Sequence, residues 1–111
     1  CVLIPWKIFE DLDNIDSVYT HSMGDFDYGF QATQKGYKIY AMDEYVGSCD
    51  DNCVSGSWRD RNLSRKRRIK LKESPKGLPF KEWFHYLNKN YNYITAVFYS
   101  FRPYIRILLK I

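Results

Sequence analysis

"HSMGDFDYGFQATQKGYKIY", residues 21–40, is the stretch on which the reading of the fold turns. Phe26, Phe30 and Thr33 recur near the helical period, Ser22 stands where an N-cap is wanted, and Gly36 ends the run. "YKIYAM" follows with β-type residues. Helix, Gly stop and strand in that order predict an α/β fold. The same stretch sets two carboxylates, Asp25 and Asp27, in the first turn of its helix.

Two accounts of those acids stand side by side. In the first they start a helix: Ser22 accepts from the N–H of residue 25, Asp25 reaches back to the N–H of Ser22, and Asp27 sits where the helix dipole favours negative charge. In the second, a carboxylate held ionised at a helix start serves as a positioned general base. Acids at i and i+2 point about 200° apart on a helix, so one of the pair faces a substrate and the other braces.

Working outward, "CVLIP" reads as a buried strand stopped by Pro5, and "WKIFEDL" as a short helix. "DNIDSVYTHS" is a loop, and "DEYVGSCDDN" holds one more short strand. "SGSWRDRNLSRKRRIKL" sets Arg59, Arg61, Arg65, Lys66, Arg67, Arg68 and Lys70 against the single Asp60, either as a mobile loop or as a basic helix. "SPKGLP" is a turn cluster. After it, "FKEWFHYLNKNY" carries Phe80, Trp83, Phe84 and Leu87 on one helical face, and "YITAVFYSFRPYIRILLKI" reads as a second helix interrupted or kinked at Pro103.

The 111 residues make one domain at most, small for a catalyst that must hold two substrates. A net charge of +4 conceals a division. Residues 1–56 hold three Lys/Arg against ten Asp/Glu, whereas residues 57–111 hold fourteen against three. The basic half suits an anionic partner, and the acidic half suits metal or acid–base chemistry. The opening has neither an initiator Met nor a basic n-region, so it is read as the start of a piece rather than a signal peptide. No apolar run reaches the roughly eighteen residues of a membrane span, and the chain is expected to be soluble or peripheral. Three cysteines, two of them framing "CDDNC", lack the second Cys/His pair of a zinc site and are read as ordinary thiols. No RNA-recognition signature or helix-turn-helix is evident, so nucleic acid is not expected as a partner.

"GDFDYGFQATQKGYKIYAMDEYVG" resembles the ED-x-D-L-x-x-R-x-x-x-x-G segment of inverting family 2 glycosyltransferases, the GT-A fold enzymes that use nucleotide-sugar donors. "CVLIP" with its helix is similar to the strand and helix leading to their acceptor site, and "SPKGLPFKEWFHYLNKNY" to the C-terminal extension of a bacterial subset. The resemblance implies the C-terminal portion of a GT-A (Rossmann-like) domain. Residues 1–56 would be its acceptor-side end, 57–77 a basic loop or lid, and 78–111 a helical extension. It implies Asp25 as the base that deprotonates an acceptor hydroxyl, with Asp27 in support. Gly24 replaces the usual Glu and Gln31 the usual Arg, which removes an ion pair expected within the motif.

The resemblance further implies a nucleotide-sugar donor, a glycan or lipid-linked acceptor, and a divalent metal, Mg or Mn, in the full-length enzyme. No metal is expected in this fragment, because the DXD-type metal motif and the donor half are not in these residues, and the fragment alone is expected to be inactive. Trp58 would stack on a sugar, with Arg59 and Arg65 meeting the diphosphate; the bland alternative is a solvated basic surface. The expected role is bacterial surface-glycan synthesis in the cytoplasm, with the aromatic tail packed on the domain, lying on the inner face of the membrane, or joining two copies. A non-catalytic basic module that binds a membrane or polyanion is the rival function.

Overall fold

The computed structural model describes residues 2–49 and 53–111 and contains five helices. They are α1 (Trp6–Leu12), α2 (Gly24–Gln34), α3 (Arg65–Lys72), α4 (Phe80–Asn90) and α5 (Tyr93–Leu109). No strand occurs among the described residues. The expected α/β class is therefore corrected to all-helical, and the GT-A sheet does not form here. "CVLIP" and "YKIYAM" carry β-type residues, but a strand exists only when a neighbour takes its backbone N–H and C=O groups. Neither segment has such a neighbour among the described residues, and Leu3, Ile39, Tyr40 and Met42 stand exposed. The short strand expected in "DEYVGSCDDN" is likewise absent from its described part, residues 43–49. The remainder of "CDDNC", residues 50–52, lies outside the described residues, while Cys49 and Cys53 are free and exposed.

α2 ends as its sequence suggests. Gly36 takes φ 87°, its N–H bonds the Thr33 carbonyl at 3.0 Å, and the Tyr37 N–H reaches the Ala32 carbonyl at 3.0 Å, the paired closure of a Schellman stop. Its beginning differs from a capping box. Met23 is the N-cap in the left-handed region at φ 71°, no side chain caps the helix, and the Ser22 hydroxyl turns instead to the Pro75 carbonyl at 3.4 Å. α1 is tied to the end of α2 through Lys35 and Tyr37, which bond the Asp11 carbonyl and carboxylate.

The basic segment resolves into helix from Arg65, with the Ser64 hydroxyl accepting from the Arg67 N–H. Its two inward side chains are cations. Arg68 donates to the Trp58 carbonyl at 2.9 Å, which fastens the preceding loop. Lys72, fully buried, pairs with Glu73 at 2.5 Å and lies 3.9 Å from the Tyr104 ring centroid, which holds α3 to α5. Glu73 also accepts from the Phe80 N–H at 3.0 Å and thus caps α4, whose N-cap Pro79 offers no side chain. Burial pushes the Lys72 ammonium below its ordinary value. Burial pushes Glu73 up, but its bonds from Lys72, Phe80 and Tyr104 prevail and hold it low.

α4 and α5 form a hairpin with Asn92 as the N-cap of α5, accepting from the Thr95 N–H at 2.8 Å. α5 runs through Pro103 without interruption. Proline lacks the N–H that would bond the carbonyl four residues back, which is that of Tyr99. The Trp83 indole N–H takes that place, 3.3 Å from the Tyr99 oxygen. A side chain on α4 thus satisfies the acceptor that Pro103 leaves free.

Candidate functional site

The face of α2 turned to α4 is built on Asp27. Its carboxylate is 3% exposed as a residue and accepts from Lys89 Nζ at 2.8 Å and Asn90 Nδ2 at 2.6 Å. Asn90 Oδ1 in turn accepts from Gln31 Nε2 at 2.8 Å. Gln31 thus reaches Asp27 only through Asn90, and the cation beside Asp27 is Lys89 of α4. Lys89 also lies 3.4 Å from Asp16, whose same oxygen is 2.9 Å from His85 Nε2. The Asp16 carboxyl is held below its ordinary value, first by the Val18 N–H and then by His85 and Lys89. Burial and the charges of Asp27 and Asp16 push the Tyr19 phenol upward.

Asp25 has the opposite environment. It is exposed, and its Oδ1 accepts from the N–H of Phe26 at 2.9 Å, which leaves Oδ2 open to a ligand. The two acids thus divide as their spacing requires, one fixed between helices and one outward.

Beside the start of α2 lies a groove of about 660 Å³, within the range typical of small-molecule sites. Met23 and Phe26 wall it from α2; Trp83, Tyr86 and Tyr91 from α4 and its end; Thr95 and Tyr99 from α5. Trp83 and Tyr86 stand with ring planes 10° apart and centroids at 5.6 Å. The lining is mostly apolar and aromatic, and Tyr86, Tyr91, Tyr99 and Thr95 among its residues carry hydroxyls. Asp25 lies between Met23 and Phe26 in sequence but is outside the lining.

The other sequence candidates lie elsewhere. Trp58 is partly exposed and lines a second hollow of about 550 Å³ with Leu71, Ser74 and the Pro75–Gly77 turn. Arg59 is exposed, its guanidinium 5.3 Å from the Trp58 ring centroid. Arg65 donates to the Leu108 carbonyl at 3.0 Å and so serves the last turn of α5. The structure groups Trp58 with Arg59 and joins neither to Asp25 or to the aromatic groove. The helical spacing of Trp83 is equally that of a packing face, and the partnership of Lys89 with Asp27 across 62 positions has no local signal.

Among the described residues no three His, Cys, Asp or Glu side chains converge as a metal ligand set. Asp16 and His85 approach each other, and Lys89 completes that group. No helix among the described residues is long and apolar enough to cross a membrane. Comparison with protein-family models, curated proteins and solved structures gave no match for this chain.

Proposed function

We propose that this chain is the acceptor-side portion of an inverting, nucleotide-sugar-dependent glycosyltransferase of the family 2 kind, working on surface glycans at the cytoplasmic side of the membrane. The observation that carries the reading is the junction of the "GDFDYG" helix start with an aromatic groove. An aromatic ring matches the C–H face of a pyranose, and the tyrosine and threonine hydroxyls suit its alcohols. The reading rests on this site and the motif, without a sheet.

In this account the acceptor sugar lies against Trp83 and Tyr86 and extends one hydroxyl past Phe26 to Asp25. That oxygen attacks the anomeric carbon of the donor while the bond to the nucleoside diphosphate breaks on the opposite face. Asp25 Oδ2 takes the proton, and Oδ1 stays on the Phe26 N–H, which fixes the carboxylate's direction. Asp27 keeps α2 at the correct angle to α4. Met23, a non-glycine residue in the left-handed region, sets the chain direction just before Asp25; strain of this kind recurs at functional sites.

The test is Asp25→Asn in the transferase. Turnover should fall by about 10²- to 10⁴-fold, the usual contribution of a general base, while donor affinity holds. Wild-type turnover in that variant would remove Asp25 from the base role.

A further inference from the structure

α5 has two opposite faces, one buried and one apolar and exposed. Ala96, Ser100, Pro103 and Ile107 recur at spacings of four, three and four and are buried. Ile94, Phe98, Phe101, Ile105 and Leu108 recur at four, three, four and three, and each is between 52% and 81% exposed. At about 100° per residue the second set forms a single stripe on the face turned away from the first. Leu109, 63% exposed, widens its end.

The charges beside the stripe are of one sign. Arg102, Arg106 and Lys110 follow one another four residues apart along one flank. α3, with exposed Arg65, Lys66, Arg67 and Lys70, packs on the same helix, and Arg65 is bonded to the carbonyl of Leu108, a stripe residue. Neither α3 nor α5 contains an Asp or Glu. A second α5 laid on this stripe would bring cationic rows together with no acid to pair them. A bilayer surface with anionic headgroups supplies both the apolar layer and the opposite charge.

We propose that the outward stripe of α5, with the basic start of α3 beside it, is a docking surface that lies in the headgroup region of an anionic membrane. The stripe spans roughly 21 Å at 1.5 Å per residue and is oriented to lie along such a surface. Its residues are not those of the aromatic groove, so either inference can fail while the other stands.

Co-sedimentation of the 111-residue chain with phosphatidylcholine vesicles, with and without phosphatidylserine, tests it. Binding should be at least about tenfold tighter to the phosphatidylserine vesicles and should weaken as salt is raised. Phe98→Ser with Ile105→Ser, both exposed, should reduce binding about tenfold or more at unchanged far-ultraviolet circular dichroism. Arg102→Gln and Arg106→Gln should each weaken it about fivefold on the anionic vesicles alone. No binding at low salt, equal binding by the Ser variant, or a concentration-dependent dimer abolished by the same Ser substitutions would overturn the proposal. The last would assign the stripe to a second copy.

Discussion

Pro103 and Trp83 form a unit 20 positions apart, because the carbonyl that the proline leaves without its N–H is the one the indole reaches. Trp83→Phe keeps the ring but strands the Tyr99 carbonyl, and should cost about 1 kcal/mol in urea unfolding. Pro103→Ala restores a backbone donor, so the same Trp83→Phe change made in that background should cost measurably less. Equal costs in both backgrounds would separate the two residues. Gly77 is a second such point. A Cβ there would run into the backbone carbonyls of Leu71 and Lys72, where the Leu78 N–H closes the end of α3 at 2.7 Å. Gly77→Ala should therefore destabilise by about 1–3 kcal/mol, read as a lowered denaturation midpoint at unchanged slope. The sequence marks "SPKGLP" as a turn, but not which backbone approaches its glycine.

Helix α2 is tied to α4 by the bonds of Asp27 to Lys89 and Asn90 and of Gln31 to Asn90, and Ala32 is its one buried apolar residue. Asp27→Ala leaves Lys89 and Asn90 without their shared acceptor and should cost about 2–4 kcal/mol, visible as early exchange of α2 amides ahead of α4. Acid should loosen this region, through Asp16, and the junction of α3, α4 and α5, through Glu73. Asp16 and Glu73 are both held below their ordinary values, so the stability they contribute is present above those values, near pH 4, and is lost as pH falls through the lower folded ones. Far-ultraviolet circular dichroism between pH 6 and 2 should show a loss centred below about pH 4, and a flat trace would contradict it. How α2 begins and ends differs in legibility. Gly36 announces its stop because only glycine takes that φ easily, whereas its start depends on Met23 adopting a left-handed turn that no local residue demands. The aromatic periodicity of "FKEWFHYLNKNY" marks α4 clearly, but a stripe that packs and a stripe that lines a groove have the same spacing. Only the α4–α5 hairpin, with Tyr91 and Tyr99 added, turns part of it into a cavity wall.

Across the whole molecule, apolar surface is left open. The radius of gyration is 16.5 Å, against about 13 Å for a compact chain of this length, and Ile39, Tyr40, Met42, Tyr45 and Val46 contribute to the exposed set. No backbone N–H of residues 38–49 has an acceptor among the described residues, so those amides should exchange fastest and those of α4 and α5 slowest. Strong protection over 38–46 would mean that this segment is paired. The same segment, despite its β-type residues, forms no strand. β-type composition specifies a residue that suits a sheet, but the sheet itself is a property of neighbours, and none is present among the described residues. Asp25 and Asp27 can be named from sequence because they stand within one short motif, while the aromatic wall cannot, because it draws on three helices.

The claim that this groove takes a sugar can be tested on the three indole N–H signals of Trp6, Trp58 and Trp83 in a two-dimensional NMR titration with pyranosides. The expected result is a saturable shift of the Trp83 signal, with Trp6 and Trp58 unmoved and the response lost in Trp83→Ala. A Trp83 signal that stays still across the glycans tested, or a response confined to Trp58, would contradict the account.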